Sequence, residues 1–168
     1  EDVAGIFLTD SFHLFESLVV NGGFRYDWDR LDFTDEIDST LSGNKTYRRV
    51  SPKAGWVYTP IKNLSFSFSY SEGVRIPTVD ELFAQGPFGS NPDLKAMPSR
   101  NFELGARAQL QDWLDASLAL FYTPVRDEIL FIVTDPILFF GRNENIARTL
   151  RRGIEPIVKS GIWLGPSA

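Results

Sequence analysis

Apolar and polar residues alternate strictly along most of this chain, and this period of two constrains its fold more than any other feature. In 64–71, one leucine and three aromatic residues alternate with four serines. Successive side chains of a β-strand point to opposite faces, so such a segment predicts a strand with one apolar and one polar face. The pattern recurs in 3–12, 17–29, 49–59, 101–111, 114–123 and 151–162. The chain is therefore predicted to be all-β, with about seven strands.

Short and long connections alternate between these segments. The short ones are 13–17, 59–63 and 111–113, and the long, polar and irregular ones are 30–48, 72–99 and 127–148. An antiparallel up-and-down meander with this alternation is the layout of an outer-membrane β-barrel, which has short periplasmic turns and long extracellular loops. Segments of about ten residues also have the length that a tilted transmembrane strand needs. The sequence therefore predicts part of a transmembrane β-barrel.

The chemistry of the two faces supports this prediction. The polar face carries serines, glycines and charged residues such as Arg25, Lys53 and Glu103, which suits a water-filled lumen. Tryptophan and tyrosine gather near the ends of the segments, for example Trp28 and Trp113, as expected for girdles at the two membrane interfaces. The alternative is an aromatic-rich soluble β-sandwich, which would bury its apolar face against a second sheet.

Composition excludes several classes of function. The net charge is −5 and the sequence pI is about 4.9, which argues against nucleic-acid binding. There is no cysteine, and His13 is the single histidine, so disulfides, thiolate metal sites and the usual catalytic triads are excluded. The acidic stretch 32–38 is interpreted as a solvated loop. A calcium site is the alternative, but the spacing of the acidic residues is not that of an EF-hand. We expect a protein that is not an enzyme and has no metal or cofactor of its own.

Several stretches in a fixed order carry a family resemblance. Residues 51–83, 91–107 and 141–155 resemble the later barrel of TonB-dependent outer-membrane receptors, and 22–31 resembles an earlier hairpin of the same barrel. Residues 1–168 are thus interpreted as a partial receptor barrel, without the plug domain and the remaining strands. The matching motif residues are Ser71, Gly73, Arg75, Pro77, Glu81, Leu82, Phe83, Asn91, Pro92, Arg151, Arg152, Gly153 and Glu155.

The resemblance implies a 22-stranded barrel in the bacterial outer membrane that takes up a ferric siderophore or a similar scarce nutrient. The TonB complex would supply energy through the plug, and the other implied partners are outer-membrane lipid and lipopolysaccharide. The iron chelate would be cargo and not a cofactor. Cations suit an anionic chelate, and exposed aromatic rings stack on flat ligands. The candidate ligand contacts in the predicted long loops are Arg75, Phe88, Phe139, Phe140 and Arg142.

Two local features give further predictions. Thr78 and Glu81 have the spacing of a capping box, so a short helix is predicted there, packed within the loop or in contact with ligand. Arg152 shares the apolar face with Ile154 by alternation. Because an arginine is costly at the centre of a bilayer, Arg152 is predicted to lie at the extracellular rim, close to lipopolysaccharide phosphates.

Some features depart from the family pattern. Residues 96–98 read Ala-Met-Pro where Pro-Glu is usual, Pro156 lies inside the last segment, and the tail 161–168 lacks a terminal aromatic strand. Two alternatives therefore stay open. The first alternative to a receptor fragment is a non-functional remnant of a truncated receptor gene. The second is a small self-contained outer-membrane barrel or structural protein. Against the second, single-chain bacterial barrels have even numbers of strands from about eight upwards.

Overall fold

One sheet contains almost all of the regular structure. The computed structural model describes residues 1–34, 36, 42–83 and 88–161. The chain also contains a five-residue helix, α1 (Val79–Phe83). The elements are β1 (Asp2–Phe15), β2 (Leu18–Phe33), β3 (Gly43–Ile61), β4 (Leu64–Arg75), α1 (Val79–Phe83), β5 (Phe88–Gly89), β6 (Met97–Gln111), β7 (Leu114–Asp135) and β8 (Phe140–Ser160).

The long strands form an up-and-down meander. They are hydrogen-bonded in chain order, each antiparallel to the one before. The two-residue β5 pairs in parallel with the beginning of β8, at Gly141 and Arg142. The predicted all-β antiparallel meander is confirmed. A β-sandwich needs two packed sheets, whereas the described strands form one.

No helix in the described part of the chain is long and apolar enough to cross a membrane.

The strands extend well beyond the segments that alternate in the sequence. β7 and β8 run through most of 127–148 and are joined by the turn 136–139, so the prediction of a long irregular loop there is wrong. β2 and β3 likewise extend into 30–48. Where water contacts both faces of a sheet, neither face has to be apolar. The backbone hydrogen bonds between strands continue there, but apolar and polar residues no longer alternate, so the sequence does not predict the strand. The connection between β4 and β6 contains α1 and β5 and is otherwise irregular over its described residues.

The register separates an apolar face from a polar face. Serines of β4 lie on the polar face, as do Glu103 and Arg107 of β6. On the apolar face, one row crosses five strands, namely Trp56, Phe68, Leu104, Leu120 and Ile154. No described residue forms a second layer over this row, and Leu104, Leu120 and Ile154 are exposed. The apolar face therefore has the character of a surface made for a non-aqueous environment.

Aromatic rings form the next row along the apolar face. The ring centroids of Tyr70 and Phe102 are 5.1 Å apart, and those of Phe102 and Tyr122 are 6.3 Å apart. We call these three residues the aromatic row. Arg152 lies directly opposite Tyr122, just as Ile154 lies opposite Leu120. The prediction that Arg152 shares the apolar face with Ile154 is confirmed.

β8 accommodates two unusual residues. Pro156 lies inside the strand opposite Leu118, where it supplies no backbone N–H. On the polar face, a Cβ at Gly153 would lie 2.7 Å from the ring of Phe121. This close approach of the ring accounts for glycine in the Arg-Arg-Gly motif.

β3 and β4 separate along part of their length. Their pairing ends at Lys53 and Ser71. β2 and β3 stay paired as far as Phe33, and β4 and β6 stay paired as far as Arg75. We call this unpaired gap, between 43–52 of β3 and 72–75 of β4, the seam. Residues 76–83 and 88–96, which we call the inner segment, pack beside it.

Candidate ligand-binding face

The inner segment packs on the polar face at the end where the strands outrun the alternating pattern. Leu82 and Leu94 are almost completely buried, in a cluster with Leu31 of β2 and Ile129 of β7. Leu31 shares the polar face with Asp29 by alternation along β2. The inner segment therefore packs over the polar face at this end of the sheet, and not over the apolar face.

A short helix begins the inner segment, as its sequence predicts. The Thr78 N–H donates to Glu81 Oε2 at 2.9 Å, and the Glu81 N–H donates to Thr78 Oγ1 at 3.3 Å. This reciprocal pair is the predicted capping box, which is confirmed. Arg75 then closes a two-pronged ion pair with Glu81, at 2.9 and 3.1 Å. The helix is thus attached to the end of β4 by two of the motif residues identified in the sequence, Arg75 and Glu81.

The carboxylate of Glu81 is held in its charged form. Burial pushes the pKa of Glu81 up, but the Arg75 guanidinium and the Thr78 N–H outweigh burial and hold the pKa below its usual value. Such a group stabilises the folded state above its unfolded pKa, and the contribution is lost as the pH falls through the lower, folded pKa. The docking of the inner segment should therefore weaken in acid.

This pH dependence is testable by hydrogen exchange. In the wild-type protein, the protection of 76–83, corrected for intrinsic exchange rates, should decrease as the pH falls below about 4.5, the ordinary glutamate pKa. Glu81→Gln should give lower protection at neutral pH and little further change in acid. Asp80→Asn is the matched control, because Asp80 makes none of these hydrogen bonds, and it should behave like the wild type. An equal acid response in Glu81→Gln would contradict the role of this carboxylate.

Side chains of β3 hold the second half of the inner segment. The Tyr47 hydroxyl donates to the carbonyl of Leu94 at 3.0 Å, and Lys45 Nζ donates to the carbonyl of Pro92 at 2.7 Å. Burial raises the pKa of Tyr47 to about 12, and the negative charge of Glu81 adds to the shift. Tyr47 therefore stays a neutral hydrogen-bond donor at any ordinary pH.

Two asparagines attach the same stretch to β8. Asn145 accepts from the Lys95 N–H at 2.9 Å and donates to the carbonyls of Lys95 at 3.0 Å and Asp127 at 2.6 Å. Asn91 donates to the carbonyl of Asn143 at 2.8 Å. Asp127 has a φ of 51°, an uncommon backbone conformation for a residue other than glycine. Asn91 thus attaches the Asn-Pro motif to Asn143 of β8, and Asn145 attaches Lys95 to the same strand. Sequence reasoning identified neither partner.

The proposed ligand contacts lie at two separate places. Arg75 lies at the base of the inner segment, where its guanidinium is engaged by Glu81. Phe139 and Phe140 are exposed at the tip of the β7–β8 hairpin, and Arg142 pairs with Glu144 at 2.9 Å. The backbone of Phe88 pairs with Gly141 beside them. The structure thus brings four of the five candidates together at the hairpin and leaves Arg75 apart.

Other cations face cavities on the polar side. A cavity of about 320 Å³ beside the inner segment is lined by Arg49 and Lys95 together with Asp29 and Asp127. Neither cation forms an ion pair within the described chain. Sequence reasoning sought ligand contacts in loops and missed these two, although Arg49 belongs to the polar set of an alternating strand.

A second cavity, of about 340 Å³, lies further along the polar face. It is lined by Arg25, Lys53, Ser51 and Ser71. Arg25 is paired with Asp27 at 2.6 Å, whereas Lys53 forms no ion pair with a described residue. Cationic side chains therefore line cavities at two positions along the polar face.

The motif residues between 151 and 155 are divided between the two faces of the sheet. On the polar face, Arg151 pairs with Glu128 at 2.9 Å, and Glu128 also accepts from Thr149. Glu155 lies opposite Ala119. Arg152 is exposed on the apolar face.

The acidic stretch 32–38 is only partly described. Asp35 and Asp38 lie outside the described residues, and Asp32 pairs with Arg30 at 3.0 Å. Across the part of the chain that the structure describes, no three potential metal-ligating side chains cluster together.

A barrel family has the same sequence pattern. The family described as TonB dependent receptor-like, beta-barrel matches residues 1–156. The chain belongs to this family. Its members are transport receptors and not enzymes. A search of curated protein sequences returns no match.

Solved structures of TonB-dependent receptors share the fold. A mutant of the hemophore receptor HasR from Serratia marcescens, in complex with its hemophore HasA and heme, has a TM-score of 0.78 at 20% identity and covers 93% of this chain. The ferric-catecholate import receptor Fiu from E. coli K12 has a TM-score of 0.70 at 20% identity over 98% of the chain. The siderophore receptor PirA from Pseudomonas aeruginosa has a TM-score of 0.70 at 18% identity over 92%. The chain spans 31%, 26% and 27% of these three structures, respectively.

Proposed function

We propose that this chain is part of the barrel of an outer-membrane receptor that takes up a ferric siderophore or a similar scarce nutrient with energy from TonB. The observation that carries the proposal is the division of the sheet into a continuous apolar face and a polar face whose mouth is covered by the inner segment. Such a wall separates lipid from a watery passage. In the complete receptor, which we propose has 22 strands, the remaining strands and a plug that engages the TonB complex come from other parts of the protein.

The apolar face would lie in the bacterial outer membrane. Its exposed leucines and isoleucines contact lipid, and the aromatic row lies at the outer interface, where tyrosine places its ring in lipid and its hydroxyl in water. The proposed partners on this side are therefore outer-membrane lipid and lipopolysaccharide.

The polar face would carry the cargo. Arg49 and Lys95 face a cavity beside the inner segment, and cations at this position suit an anionic iron chelate. The exposed rings of Phe139 and Phe140 would meet the ligand first, together with Arg142 and Phe88, and Arg75 would act from the base of the inner segment. The chelate is cargo, and we propose that no resident cofactor is needed.

Ligand binding by the full-length receptor tests this proposal. Hydrogen bonds to charged groups contribute about 1.5–3 kcal/mol, so Arg49→Gln with Lys95→Gln should lower the affinity for the best ferric chelate in a panel at least about tenfold. Phe139→Ala with Arg142→Ala tests the hairpin in the same assay and should also weaken binding. Lys62→Gln, at the other end of the sheet, is the control and should bind as the wild type does. Unchanged affinity in both double variants would contradict the proposed ligand path.

A small self-contained barrel is a weaker candidate. β1 and β8 are not neighbours in the sheet, so the described strands do not close into a barrel. Open edges leave backbone N–H and C=O groups unsatisfied in lipid, at a cost of several kcal/mol each. This argument supports a larger barrel, built with further strands.

A further inference from the structure

Four arginines gather on the apolar side of three neighbouring strands. Arg152 lies beside the aromatic row, opposite Tyr122, and Arg126 and Arg148 lie directly opposite each other further along the same hairpin. Arg100 of β6 is on the same face, opposite Glu72. All four side chains are exposed. We call Arg100, Arg126, Arg148 and Arg152 the arginine cluster.

The cluster has too few carboxylates to balance it. Glu72 pairs with Arg100 at 3.1 Å. Arg126, Arg148 and Arg152 have no hydrogen bond or ion pair with any residue in the described ranges. Like charges directly opposite each other on neighbouring strands destabilise a sheet. Elsewhere on this sheet, Arg25 and Arg142 form ion pairs with an acidic residue two positions away on the same strand, whereas Glu128, two positions from Arg126, pairs with Arg151 instead.

The cluster begins where the lipid-facing surface ends. Below Arg152 on β8 the apolar face continues with Ile154, and Arg152 itself is level with the rings of the aromatic row. Arg148 is four residues further along β8, roughly 13 Å at the rise of a β-strand. The four guanidinium groups thus lie on the outside of the wall, from the aromatic row outwards. Phosphate-bearing headgroups of a bilayer occupy this level.

Arg100 and Arg126 also line one small cavity. It has a volume of about 130 Å³, and its lining includes Arg49 of β3, Glu72 and Pro124 as well. The planar guanidinium group binds phosphate through two parallel hydrogen bonds. A recess with one arginine from each of three strands can therefore hold one phosphate group from several sides.

We propose that the arginine cluster binds the phosphate groups of lipopolysaccharide in the outer leaflet of the outer membrane. The inference rests on the proposed membrane location and adds a defined binding site to it. The lipid anion would neutralise the facing pair Arg126 and Arg148, and Arg152 would bind at the level of the aromatic row. The four arginines lie on the face opposite the proposed cargo path, and Arg49, which lines the small cavity as well as the cargo cavity, is left unchanged in the variants below.

Lipopolysaccharide retention by the full-length receptor tests the site. The receptor, purified in detergent, is mixed with purified lipopolysaccharide or with the same material stripped of phosphate, and bound lipid is counted by native mass spectrometry. The wild type should retain the phosphorylated form at least about tenfold better, since each hydrogen bond to a charged group contributes roughly tenfold or more in affinity. Arg126→Gln with Arg148→Gln should lose most of this preference. Arg107→Gln, an exposed arginine on the polar face, should keep it.

Each other outcome overturns the inference. Equal retention of both lipid forms by the wild type, or wild-type retention by the double variant, would exclude a phosphate site at the cluster. Displacement of the lipid by millimolar inorganic phosphate would exclude a lipid-specific site in favour of a free-phosphate site. Heat-modified mobility on a gel confirms that each variant is a folded barrel before it is measured. Ferric-chelate affinity is measured on the same samples, and its loss or retention bears on the proposed function alone.

Discussion

Leu82→Ala is expected to release the inner segment from the polar face. Leu82 is completely buried, in contact with the cluster that includes Leu31, Leu94 and Ile129. Removing a buried leucine side chain costs about 2–5 kcal/mol, because the lost apolar contact adds to the cavity that remains. That cost is borne by a short segment held by a small core, so the result should be local opening and not unfolding of the sheet.

Hydrogen exchange measures this release. In the full-length receptor, Leu82→Ala should lower the protection of 88–96 by a factor of thirty or more, since about 1.4 kcal/mol corresponds to tenfold. The strands of the membrane part should keep their protection. Leu138→Ala removes the same side chain from an exposed position at the hairpin tip and should change nothing in the inner segment. Full protection in Leu82→Ala would show that the hydrogen bonds from Tyr47 and Asn145 hold the segment alone.

Leu120→Arg is expected to destabilise the sheet, whereas Ala119→Arg should be tolerated. Leu120 lies in the row of apolar residues between Leu104 and Ile154, and Ala119 is the adjacent residue on the polar face, opposite Glu155. An arginine on the lipid side costs about 2–4 kcal/mol at the middle of the bilayer and less towards the interfaces, so Leu120→Arg, one row inside the aromatic row, should cost about 1–2 kcal/mol. On the lumen side the same group stays hydrated and gains a carboxylate neighbour.

Equilibrium unfolding in lipid vesicles compares the two variants. The full-length receptor is titrated with guanidinium chloride while tryptophan fluorescence is followed, and Leu120→Arg should lower the free energy of unfolding by the amount given above. Ala119→Arg is the matched control, since it introduces the same side chain one residue away. The reverse order of stability would mean that the two faces have been assigned to the wrong environments.

The alternation predicted the part of each strand that borders lipid in the proposed receptor. There, lipid on one side and water on the other would impose opposite chemistry on neighbouring residues, as in the alternation of Phe66, Phe68 and Tyr70 with serines. Beyond the aromatic row that constraint ends. Arg126 and Glu128 then interrupt the pattern while the backbone ladder continues, and for this reason β7 and β8 are much longer than predicted.

The site was predictable only where its contacts are local. Thr78 and Glu81 are three residues apart, so their capping box could be predicted from spacing. Tyr47 reaches Leu94 across 47 residues, and Asn145 reaches Lys95 across 50. Such contacts depend on which strands the fold brings together, and no periodicity encodes them. The Asn-Pro-x-Leu-Lys resemblance indicated that this stretch matters without indicating its partners.

The seam indicates how far the hydrocarbon layer can extend along the strands, and this indication does not depend on side-chain chemistry. Backbone N–H and C=O groups that face hydrocarbon without a partner cost several kcal/mol each, so β3 and β4 can separate only where water reaches both strands. Their pairing ends at Lys53 and Ser71, one residue beyond Tyr70 of the aromatic row. In the proposed membrane location, main-chain hydrogen bonding and aromatic placement thus mark the same outer limit for the hydrocarbon layer. A bilayer thick enough to cover the seam would have to close it or become thinner around this part of the wall.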